Sequence, residues 1–252
     1  MSLLDEIAAE VRDDPESLGL ILHGSRSAGV HGPQSDYDLV RVVTDASYAG
    51  RRERGELREK RSGHGPAADV VYACPERMRV HAAAPDGYTG MYMTAQVVVD
   101  KHGQVGALVR EIGDGAGRAA RAGLDEIYDG YLNCFVRSLK AWRRGDELGG
   151  RLQAAESCLY LVRLLFALEE RWPPYHDQLR GPLRELERTQ GWGEGELEAA
   201  LRRVLETADP SFQQQLELRV EALMDSRGIA HLWGPEDDLE PVKALRFAES
   251  SA

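Results

Sequence analysis

The sequence predicts an α+β (α/β) protein in two parts, a strand-bearing N-terminal half over 1–115 and an all-helical half over 120–252. Three observations carry this. Apolar runs of strand length recur through the first hundred residues. Past residue 120 they give way to leucines and aromatics at helical spacing. Between the two lies Gly113-Asp114-Gly115-Ala116-Gly117, which reads as a boundary or linker because glycine disfavours both helix and strand interiors.

Each element follows from a local signal. Ser2 with Asp5 three residues on resembles a cap, and Leu3, Leu4, Ile7 and Val11 share one face, so a helix is expected over 3–12. Leu18-Gly19-Leu20-Ile21-Leu22 reads as a buried strand ending in a turn at Gly24-Ser25. A second strand is expected at Leu39-Val40-Arg41-Val42-Val43. The charged stretch from Asp45 to Arg61, broken by Gly50 and Gly55, fits either a helix or an exposed hairpin. Ala67 to Ala73 is a third strand, Pro75 opens a short helix through Val80, and Met93 to Val99 is a fourth strand. A helix from Val105 to Ile112 closes the first half.

In the second half, Ile127, Tyr131, Phe135, Leu139 and Trp142 mark a helix over 124–143, with Gly145 as its stop. A more apolar helix over 151–172 ends at Pro173-Pro174. Further helices are expected near 175–190, 195–207 and 212–224, with a short apolar patch at 242–247 docking as a last one.

The chemistry is concentrated early. A Gly-Ser turn presents backbone N–H groups to an anion. Twelve residues after Gly24 stands Asp36, then Asp38, and alternate residues of a strand project to one side, so the two carboxylates face together beside the turn. Adjacent carboxylates repel unless a hard cation sits between them, and Mg²⁺ suits a few carboxylates combined with phosphate oxygens. Asp69, in the next strand-like run, supplies a third carboxylate, either as general base toward a hydroxyl or as a further metal ligand.

Gly24-Ser25, Asp36-Tyr37-Asp38 and Asp69 together resemble the DNA polymerase β-type nucleotidyltransferase superfamily, in the minimal branch that includes the aminoglycoside and lincosamide nucleotidyltransferases. The resemblance covers roughly the first 75 residues. It implies a mixed sheet flanked by helices, two Mg²⁺ ions, and a nucleoside triphosphate donor, with ATP the expected one. It further implies transfer of a nucleoside monophosphate to a hydroxyl with pyrophosphate leaving. Asp36, Asp38 and Asp69 would hold the metals, Asp69 doubling as candidate base, and Gly24 and Ser25 would grip the phosphates. The same chemistry directed at a protein, as in adenylylating antitoxins, is the alternative acceptor class, and a non-catalytic nucleotide-binding protein is the alternative function.

Other residues extend this site. Arg26 and Lys140 are candidate cations for the triphosphate. Glu156 interrupts an apolar helix and is a candidate for an acceptor amine or an alternative base, or else a salt-bridge partner of Arg151 or Arg163. Tyr175 and Asp177, in the aromatic turn Trp172-Pro173-Pro174-Tyr175-His176-Asp177, are candidates for the acceptor pocket or for a rigid corner between helices. His23, beside Gly24, helps shape the turn.

Composition sets the outer limits. At 252 residues the chain can bury two modest cores, and 42% hydrophobic with 29% charged residues is ordinary for a folded protein. A net charge of −11 argues against a broad nucleic-acid surface and suits a small, cationic hydroxyl acceptor. The three cysteines have no metal-finger spacing and read as reduced core residues. No run approaches the ~20 apolar residues of a membrane helix, and the N-terminus is charged, so a cytoplasmic protein without a membrane partner is expected, as monomer or homodimer.

Overall fold

The computed structural model describes residues 2–63, 65–234 and 236–247. The chain divides into two compact units, one of residues 1–119 with 170–181, the other of 120–169 with 182–252.

The first unit is built on a mixed five-stranded sheet. Its strands are β1 (Ser17–His23), β2 (Tyr37–Val43), β3 (Arg58–Arg61), β4 (Ala68–Ala73) and β5 (Gln96–Asp100), in the spatial order β3-β4-β2-β1-β5. Only the β2–β4 pair is parallel. Helix α1 (Leu3–Asp13) is started by a full capping box between Ser2 and Asp5 and lays Leu3, Ile7, Ala8 and Val11 on one face of the sheet, against Leu20, Leu22, Leu39 and Val70. Each buried Leu, Ile or Val among them contributes roughly 1.5–3 kcal/mol by leaving water. On the opposite face, Met78 and Ala82 of α4 (Pro75–Ala83) and Val105, Leu108 and Ile112 of α5 (Gln104–Ala122) cover Ile21, Val40 and Val42. Burial on both faces explains why these strands read as continuous apolar runs.

Two local expectations are corrected. The stretch 45–61 is neither wholly helix nor hairpin: α3 (Asp45–Arg54) ends at Gly55 with φ +72°, and the chain then forms β3, Arg-Glu-Lys-Arg. The run 113–117 is not a linker but lies inside α5. Two of its glycines have a packing reason. A Cβ at Gly115 would overlap the carbonyl of Ala82, and one at Gly117 the carbonyl of Glu170, so two backbones approach where a side chain would hold them apart.

The second unit is helical throughout its described residues. It comprises α6 (Leu124–Arg143), α7 (Glu147–Leu168), α8 (Arg180–Gln190), α9 (Glu196–Thr207), α10 (Pro210–Ser226) and the short α11 (Leu239–Lys243). The three residues between α6 and α7 make those helices antiparallel neighbours. Here α10 carries one expensive group: Glu217 is fully buried, and burial pushes its carboxyl up to about 8 despite Tyr131 and Lys243 nearby. The 242–247 patch forms only the end of α11, which Gln214 fastens by donating to the carbonyls of Val242, Lys243 and Leu245. No described helix is long and apolar enough to cross a membrane.

Candidate active site

One row of residues crosses three strands at the end of the first unit's sheet. His23, the last residue of β1, is paired with Asp38 on β2, and Asp38 is paired in parallel register with Asp69 on β4. Strand pairing alone therefore brings together two of the three sequence-predicted carboxylates. Asp36 lies one residue ahead of β2 and is exposed, whereas Asp38 is half-buried.

Charge is frustrated here. Burial raises the Asp38 carboxyl above its ordinary value, and the negative charges of Asp36, Asp69 and Asp177 raise it further. The His23 imidazole is pushed down to about 4 by burial, so it stands neutral in the row, its Nδ1 without a hydrogen-bond partner. Asp69 alone has a direct counter-charge. Arg58 on β3 donates Nε to Asp69 Oδ1 at 2.8 Å and Nη2 to Oδ2, and this holds the Asp69 carboxyl below its ordinary value.

The Gly-Ser turn is fitted to Asp38. Gly24 opens the one-turn helix α2 (Gly24–Ser27) with φ +74°, and a Cβ on it would overlap Asp38 Oδ2. The Ser25 hydroxyl has no hydrogen-bond partner among the described residues, while the Ser25 carbonyl accepts from Val30 N–H at 2.9 Å. Arg26 is turned onto its own loop. Its Nε donates to the carbonyls of Ser35 and Asp36, both at 3.0 Å, its Nη2 to Ser35, and its guanidinium lies 4.3 Å from the Tyr37 ring centre. In this state Arg26 works as a clasp on the loop that delivers Asp36.

Residues 170–181 also bring side chains to this place. Tyr175 packs its ring and backbone against Gly90, and Gln178, buried, accepts from the Thr94 hydroxyl at 2.9 Å. Burial raises the Tyr175 hydroxyl, and Tyr88, Asp86, Asp177 and Asp38 add to the shift, so these groups share one neighbourhood. Asp177 itself is exposed.

The remaining candidates belong to the second unit. Lys140 is ion-paired with Asp238. Glu156 is exposed rather than turned to a core; it accepts from Gln153 Nε2 at 3.3 Å, and Arg151 pairs with Glu147 instead. Sequence reasoning overlooked Arg58 and Lys60. The signal was the alternation Arg58-Glu59-Lys60-Arg61, which puts two cations on one side of an edge strand.

The donor set fits a hard divalent cation chemically, because half-buried, mutually repelling carboxylates are relieved by one. As they stand, no three His, Cys, Asp or Glu side chains among the described residues converge on a metal position, and Asp69 has both oxygens on Arg58.

Comparison with known proteins adds the family. A nucleotidyltransferase-like protein from Exiguobacterium sibiricum is similar in structure at 12% identity, over 88% of this chain and 73% of that one, with a TM-score of 0.44. An aminoglycoside 6-adenyltransferase from Bacillus subtilis is similar at 10% identity, over 95% and 93%, with a TM-score of 0.33. The comparison with curated proteins gives no match. The nucleotidyltransferase domain model matches residues 4–85, the stretch that holds the turn and all three aspartates. Residues 4–85 thus resemble the nucleotidyltransferase domain family.

Proposed function

We propose that the chain transfers a nucleoside monophosphate from a nucleoside triphosphate, ATP being the expected donor, to a hydroxyl of a small molecule, with pyrophosphate as the leaving product. The observation that carries this reading is the in-register pairing of Asp38 with Asp69 beside Gly24, inside the matched domain. Asp36, Asp38 and Asp69 are the residues that would hold Mg²⁺, two ions by the family resemblance. Held there, such a cation would supply positive charge against the triphosphate and the charge that develops during transfer.

The protein's own groups do the rest. The Ser25 hydroxyl, without a hydrogen-bond partner among the described residues, donates to a phosphate oxygen, and the Gly24 backbone permits close approach. Asp69 is the candidate to take the acceptor hydroxyl's proton once an oxygen is released from Arg58. Neutral His23 keeps positive charge out of the row while its ring excludes water. Asp177 and Tyr175 supply a carboxylate and an aromatic wall for the acceptor, which favours a cationic molecule such as an aminoglycoside-like antibiotic.

The test is label transfer from α-labelled ATP with Mg²⁺ to a panel of aminoglycosides, lincosamides and co-purifying proteins. Transfer to a cationic small molecule that vanishes in Asp38→Ala supports the reading. Equal transfer by wild type and Asp38→Ala sinks the catalytic assignment, and label on a co-purifying protein alone moves the acceptor to the protein class.

A further inference from the structure

Arg58 is a strong cation to which the proposed chemistry gives no task beyond releasing Asp69. It stands in register with Val71, yet its guanidinium reaches back along the strand pair to Asp69 and engages both carboxylate oxygens. Lys60, the true register partner of Asp69, lies on the same side of β3, so the edge strand presents two cations to one carboxylate. The other aspartates are treated differently. Neither Asp36 nor Asp38 has an ion-pair partner among the described residues, and Asp38 carries the strain of the cluster.

The two partners of this ion pair are unequally held. The Arg58 side chain is 63% exposed and Asp69 only 17%, so the arginine can swing into water while the carboxylate stays in the row. A bidentate guanidinium saturates the oxygens it grips. A hard divalent cation needs at least one of the same oxygens for itself and repels a fixed positive charge beside it. Both cannot hold Asp69 fully at once.

We infer that Arg58 is a positioning residue that holds Asp69 in place before metal enters and competes with the metal for it, so that loading the site requires the guanidinium to let go of at least one oxygen. This rests on the nucleotidyl-transfer reading of the three aspartates. Arg58 thus acts as an internal counter-ion: it keeps an otherwise repulsive trio folded in the metal-free protein and sets the threshold at which cation binds.

Competition predicts a gain of affinity on removing a side chain, which damage to the fold does not produce. The measurement is Mn²⁺ binding to the full chain without nucleotide, followed by the electron paramagnetic resonance signal of free Mn²⁺. Arg58→Met is expected to bind Mn²⁺ about tenfold more tightly than wild type, as expected when one charge-assisted hydrogen-bond pair no longer has to be broken. Arg58→Lys, a point charge without the fork, falls between the two. In Arg58→Met/Asp69→Asn the gain disappears. Equal or weaker binding by Arg58→Met overturns the inference, as does a gain that survives in the double variant. Failure of the underlying reading looks different, since Mn²⁺ binding would then be missing from wild type and every variant, or indifferent to Asp36→Asn and Asp38→Asn.

Discussion

The carboxylate of Asp38 occupies the space where a side chain on Gly24 would have to go. The Gly24 turn and the acidic row are therefore one packed object, and the glycine is needed twice, for its φ of +74° and for its missing Cβ. Gly24→Ala is expected to cost about 2 kcal/mol of stability and to displace Asp38. Thermal melting together with label transfer checks this, and a variant with wild-type values in both would refute it.

Asp38 should trade stability for activity. Its carboxyl is raised by burial and by Asp36, Asp69 and Asp177, so the folded protein resists its ionisation. Asp38→Asn is expected to melt a few degrees higher than wild type when divalent cations are chelated, a gain on the order of 1 kcal/mol, while transfer falls by roughly 10²-fold or more. Melting in EDTA and an initial-rate assay read the two halves separately.

Much of this site was legible in the sequence, for a definite reason. A strand has a period of two, so the apolar run after Asp38 sets which side its carboxylate faces, and Asp69 at the start of the next run becomes its neighbour by pairing, whereas Asp36 lies ahead of the strand. Other parts were hidden. β3 is Arg-Glu-Lys-Arg, with no apolar residue to announce a strand, because it lies at a sheet edge and its side chains stay in water. Gly115 and Gly117 imitate a linker since close backbone packing and flexibility call for the same residue. Arg58 and Asp69 are partners only because β3 pairs with β4 and the long arginine reaches past its own register position, which no spacing along the chain encodes.

Asp177 is the test of acceptor charge. Its carboxylate is felt by both Asp38 and Tyr175, and it is exposed rather than committed to a core. Asp177→Asn is expected to raise KM for a cationic acceptor about tenfold, the value of one lost charge contact, with kcat nearly unchanged. Steady-state kinetics with a cationic and a neutral acceptor decide it, since only the first should respond.

Glu217 makes the second unit sensitive to alkali. Its folded carboxyl sits at about 8 against an ordinary 4.5, because burial favours the neutral form. With the folded value the higher one, its contribution is fully present below pH 4.5 and is lost as pH rises through about 8. Wild type should therefore lose a few kcal/mol between pH 5 and pH 8.5 that Glu217→Gln retains. Urea denaturation at the two pH values gives the comparison, and parallel losses in both proteins would exclude Glu217 as the cause.

The segment 170–181 has a consequence for how the molecule is made. It is reached only after α6 and α7, yet it completes the unit to which residues 1–119 belong, seating Tyr175 on Gly90 and Gln178 on Thr94. During synthesis the first unit must therefore wait, unfinished, while about fifty residues of the second are translated. The two units share one order of assembly on the ribosome, and a gene cut between α5 and α6 would sever the first from its own last piece.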